Sequence, residues 1–95
     1  MRTAAIKGFV FNVIKGMEDN QFPSGCSFVV LGVNSGMVLA LTSEENIVLF
    51  PADILNDTER FDLVGTFSSG EIEDVFKPLI KRMRTGNYSS FGARI

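Results

Sequence analysis

Apolar positions along this chain follow two different periods. From residue 5 to residue 67 they come in short runs rich in Val, Phe, Ile and Leu, cut by glycine, proline and Asn/Asp/Ser clusters, which is the pattern of strands and turns. Five such runs occur: Ala5–Ile14, Cys26–Val33, Met37–Thr42, Asn46–Phe50 and Phe61–Phe67. In the first, Phe9, Phe11 and Val13 share one face and Ile6, Val10 and Ile14 the other, so both faces are apolar; Gly8 marks a bulge or bend. In the fifth, strict alternation puts Phe61, Leu63, Gly65 and Phe67 on one face and Asp62, Val64 and Thr66 on the other.

The punctuation fits this division. Asn34-Ser35-Gly36 predicts a tight hairpin turn, since Asn and Gly accept positive φ. Ser43–Asn46 predicts a second turn. Pro51 stops the fourth strand because it has no N–H for a ladder. After it, Ala52–Leu55 is compatible with a single helical or 3₁₀ turn or with an edge strand running on. Lys15–Gly25 is a long polar loop with two apolar residues, Met17 and Phe22, followed by Pro23; such residues more commonly anchor a loop on the core, and otherwise are displayed by it for a protein partner.

Between Ser68 and Arg84 the period changes. Ile72, Val75, Phe76, Leu79, Ile80 and Met83 fall on one face at about 100° per residue. Ser68 and Glu71 form a capping box, acids occupy the first turns and bases the last, and Gly86 ends the helix. Pro78 removes one helical hydrogen bond and collides with the preceding turn, so a kink near Pro78 is expected. The apolar face needs a sheet to cover.

The expectation is therefore a mainly β chain with one C-terminal helix: a small five-stranded antiparallel curled sheet, or a partly open barrel of SH3-like or OB-like form by analogy, with the helix capping one end or edge. A flat sheet with the helix across one face is the alternative. Residues 1–86 form one domain, and 87–95 a flexible basic tail.

Composition narrows the chemistry. There is no histidine, which removes the usual general base, the commonest metal ligand and every histidine-based triad. A single cysteine, Cys26, lies in an apolar run; it excludes an intrachain disulfide and the common zinc sites, and fits a small buried hydrophobe. No glycine-rich phosphate loop is present. The acids Asp53, Asp57, Glu59 and Asp62 match no calcium-loop spacing and are expected to be a solvated surface. No catalytic residue, cofactor, metal or small-molecule substrate is indicated. No apolar run approaches the ~20 residues a membrane helix requires, and no signal peptide is evident, so a cytoplasmic protein is expected.

Charge is uneven. Residues 1–76 hold four bases and eleven acids, a balance of −7, and residues 77–95 hold five bases and no acid, +5. Two readings of function follow. In the first, the chain is a non-catalytic binding module or regulator that contacts another protein or a second copy of itself, through Met17, Phe22 and Pro23, an edge strand or the far face of the sheet. In the second, Lys77, Lys81, Arg82 and Arg84 on the helix, with Tyr88, Phe91 and Arg94 beyond it, grip a nucleic-acid backbone and stack on its bases. The acidic body and a pI near 5.0 weigh toward the first.

Overall fold

The computed structural model describes residues 7–16, 22–67 and 76–90, with the backbone alone at 76, 77, 89 and 90. Its strands are β1 (Phe9–Val13), β2 (Ser27–Asn34), β3 (Met37–Thr42), β4 (Ile47–Pro51), β5 (Phe61–Thr66) and the two-residue β6 (Ser89–Ser90). A 3₁₀ turn (Ala52–Asn56) links β4 to β5, and one helix, α1 (Phe76–Arg84), precedes β6. The strands form one antiparallel sheet in the order β4-β3-β2-β1-β5-β6. The sheet is mainly a five-strand structure and is open, with β4 at one edge.

The turns form where the polar clusters stand. Ser35 and Gly36 both take positive φ, 54° and 78°, the two-residue geometry that suits the twist of β2 and β3. The next turn is held by Thr42, whose buried hydroxyl accepts from the N–H groups of Glu44 and Asn46. Pro51 ends β4 without cost because β4 is an edge strand, and Ala52–Leu55 resolves as the 3₁₀ turn.

The sheet buries apolar residues on both faces. One face holds the larger core: Phe11 and Val13 of β1, Phe28 and Val30 of β2, Val38 and Ala40 of β3, Phe50 of β4, Phe61 of β5 and Leu55 of the 3₁₀ turn. At its centre Phe22 and Phe28 sit 5.0 Å apart, each meeting Phe50 and Phe61 edge-on at 5.0 to 6.0 Å. The opposite face carries Val10, Val29, Leu41 and Phe67, and α1 covers them with Leu79, Ile80 and Met83. The helix thus lies on one face of the sheet and does not cap its end, and the larger core closes without it.

Two bulges account for departures from simple alternation. Between the pairs Val10↔Gly65 and Phe11↔Leu63 the register slips, so Val64 is an extra residue on β5. Phe61 and Leu63 therefore face the larger core, while Phe67, expected beside them, belongs to the helix-covered face. Leu31 is the corresponding extra residue on β2. Of the bulge or bend expected at Gly8, the bulges lie elsewhere, and Gly8 stands in a turn before β1 at φ +99° in close backbone contact with Phe67.

Phe76 is the first described residue of the helix, two residues before Pro78. Ile72, Val75, the capping box at Ser68 and Glu71, and any helical piece that a kink would join lie outside the described residues. At the other end Asn87 N–H donates to the Arg82 carbonyl at 2.8 Å and Gly86 N–H to that of Met83, closing the helix with a Schellman motif. The chain beyond is not free along its whole length: Tyr88 packs edge-on against Phe67 at 5.7 Å, and β6 pairs with β5. Residues 91–95 lie outside the described residues.

Candidate interaction surface

The residues proposed from sequence as a displayed loop separate. Phe22 is buried at the centre of the aromatic cluster and is the anchor of its loop, so its ring is not offered to a partner. Pro23 beside it is exposed, and Met17 lies outside the described residues. Gly16 ties the loop down further: its N–H donates to Ser24 Oγ at 2.8 Å, and its carbonyl accepts from Arg60 Nη1 at 2.8 Å.

The basic constellation is also divided. Lys81 is exposed. Arg82 lies over the Phe67 ring at 5.0 Å and donates from Nε to the Asn87 carbonyl. Arg84 donates from Nε to the Ser43 carbonyl at 2.8 Å and sits 3.6 Å from Glu45, tying the end of α1 to the β3–β4 turn. Tyr88 is half-buried on Phe67. The described arginines and the tyrosine are thus engaged with the protein's own groups. The Lys77 side chain, Phe91 and Arg94 lie outside the described residues.

A different set of side chains is brought together at the β4 edge. Leu39, Ile47 and Leu49 are 40%, 54% and 58% exposed. They share the outer face of β3 and β4 because Leu39 stands opposite Leu49 in register and Leu41 opposite Ile47. Leu41 is covered by α1; the other three lie beyond the helix. Gly32, paired with Leu39, has no side chain to fill the floor, and a depression of about 460 Å³ opens there, lined by Gly32, Val33, Asn34, Met37, Leu39 and Leu49. Isolated exposed leucines are ordinary, but neighbouring ones on an edge strand form a surface suited to contact. In sequence these positions were hidden inside the runs MVLALT and NIVLF. The available signal was that both runs are apolar at consecutive positions, more than one buried face consumes.

The remaining chemistry is sparse. A second, polar depression of about 530 Å³ between β1, β2 and the end of α1 includes Asn12, Ser27, Ser43, Glu44, Arg84 and Tyr88. Its serines are bonded to each other: Ser27 N–H donates to Ser43 Oγ and Ser43 N–H to the Ser27 carbonyl. Among the described residues no group of three acids or cysteines converges as a metal site, and no described helix is long and apolar enough to cross a membrane.

Burial raises the pKa of the Cys26 thiol from an ordinary 9.0 to about 11, with the charge of Glu44 adding to the effect. The folded value lies above the unfolded one, so this contribution to stability is complete below pH 9 and is lost as pH rises toward 11. The thiol is expected to resist alkylation at neutral pH until the protein unfolds. The stability advantage of the wild type over Cys26→Ala should shrink between those two pH values in urea titrations.

No family model matches the chain, and neither a curated protein nor a solved structure matches it.

Proposed function

We propose that this protein is a non-catalytic binding module or regulator that acts by contact with another protein through the outer face of β3 and β4. The observation that carries this reading is the placement of Leu39, Ile47 and Leu49 side by side, exposed, on the strand at the sheet's edge. The absence of histidine and the burial of the one thiol support a non-catalytic role. A lone buried cysteine also suits a reducing, cytoplasmic setting. The internal engagement of Arg82 and Arg84 weighs against a nucleic-acid surface on the helix.

The test is a photo-crosslinking side chain placed at position 49, with one at the exposed Asp62 as control. A discrete protein adduct in native extract is expected at 49 and not at 62, and a Leu39→Ser/Ile47→Ser double substitution should remove it. That variant should change folding stability by only about 0.5 kcal/mol per site, as exposed positions usually do. Equal labelling at both positions, or an adduct indifferent to the double substitution, would refute the surface. An adduct of twice the chain mass would identify a second copy as the partner.

A further inference from the structure

We infer that the partner element is an extended segment bearing alternate apolar residues between basic flanks, and that it adds to the sheet as a strand along β4. This rests on the interaction surface proposed above and names what it binds.

The hydrogen-bond phase of the β3–β4 ladder sets the argument. Thr42 N–H donates to the Asn46 carbonyl and Ala52 N–H to the Gly36 carbonyl, both at 2.8 Å. The register between them is unbroken, so Asn46, Val48, Phe50 and Ala52 turn their backbone groups toward β3. Ile47, Leu49 and Pro51 therefore turn theirs away, toward the edge where no further strand pairs among the described residues. That edge offers the N–H groups of Ile47 and Leu49 and the carbonyls of Ile47, Leu49 and Pro51, a template for one short strand. A residue bonded to Leu49 or Ile47 places its side chain on the same face as theirs, so alternate apolar residues would extend the exposed patch.

Charge selects the flanks. Glu44 and Glu45 precede β4 and Asp53 follows it, all exposed; Arg84 offsets part of the charge at the first end, and Asp53 has a contact of its own at the other. Lysine or arginine beyond each end of the incoming strand meets this field favourably. A second copy does not, because antiparallel self-pairing brings Glu44 and Glu45 of one chain to the end that carries Asp53 of the other.

The probe is a fluorescent synthetic peptide alternating threonine and valine, with two lysines at each end. Two companions carry two glutamates at each end, or lysine ends with N-methyl groups on the valine amides. The lysine peptide is expected to bind at least about fivefold more tightly than the glutamate one at low salt, an advantage that shrinks as salt is added. N-methylation should abolish binding. In hydrogen exchange followed by NMR, the Ile47 and Leu49 amides should exchange faster than those of Val48 and Phe50 in the free protein, and slow when the lysine peptide is added. No binding, equal binding by the glutamate or N-methylated peptide, or binding without that slowing would overturn the inference. Protection of the same two amides by self-association alone would overturn it too. A failed peptide with a surviving crosslink at position 49 removes only the added strand; failure of both removes the surface as well.

Discussion

Replacing Phe22 by alanine is expected to cost about 3–5 kcal/mol of folding free energy, the range for a large aromatic deleted from a tight core. The residue lies in a loop, where such a loss is not usual. Its ring is 1% exposed and touches Phe28, Phe50 and Phe61, which come from three different strands. Removing it opens a cavity in the larger core and strips several aromatic contacts, each worth about 0.5–1.5 kcal/mol beyond burial. Domains of this size are stable by only about 5–15 kcal/mol, so the variant should sit near the unfolding threshold. Urea titration followed by far-UV circular dichroism measures this, since the chain has no tryptophan. Phe22→Leu should recover most of the loss by refilling the volume. If Phe22→Ala stays within about 1 kcal/mol of the wild type, as a surface change does, the loop is not anchored through this ring.

This residue shows where sequence was informative and where it stopped. The strand positions were legible because apolar runs and turn clusters alternate, and the Asn34–Gly36 turn lies where its residues put it. Anchoring was the favoured reading for Phe22 over display, and its burial agrees; which strands its ring would meet was not legible, because a single aromatic in a polar loop carries no period and only its tertiary neighbours decide. The face of Phe67 was misjudged for a related reason. A bulge at Val64 inserts one residue, and period-two reasoning inverts every position beyond it.

The role of the helix was partly legible. Its periodicity located Leu79, Ile80 and Met83 on a buried face. It could not say which side of the sheet would receive them. Both faces of the first strand read as apolar in the sequence, and β1 and β2 use both, with the larger core on one side and α1 on the other. The basic end of the helix was read as either a dipole effect or a nucleic-acid surface. Arg84 shows a third use, a tether to the Ser43 carbonyl and Glu45, and that partner is distant in sequence and signalled by no motif. The exposed leucines of β3 and β4 follow from the same two-sidedness: α1 covers Leu41 but does not extend to Leu39, Ile47 and Leu49.

Gly8→Ala is expected to destabilise the protein by about 2–6 kcal/mol, by adding backbone strain of about 1–3 kcal/mol to the loss of two buried hydrogen bonds worth about 0.5–1.5 kcal/mol each. Gly8 has φ +99°, a conformation L side chains rarely adopt, and a Cβ there would collide with the carbonyl oxygen of Phe67. Both neighbours are fixed through its own backbone: Gly8 N–H donates to the Val30 carbonyl and Phe67 N–H donates to the Gly8 carbonyl, each at 2.8 Å. The residue thus holds β2 and the end of β5 against the start of β1, so the collision cannot be relieved without loosening one of them. Gly25→Ala separates strain from collision, since Gly25 has a similar φ of +89° but open space around the added carbon. It should cost only the left-handed penalty of about 1–2 kcal/mol. Thermal unfolding of the two variants reads the difference directly, at about 4–8 °C per kcal/mol for a domain of this size. Equal midpoints would mean that the chain at Gly8 does not approach Phe67 closely, and that β1 is joined to the end of β5 by its ladder alone.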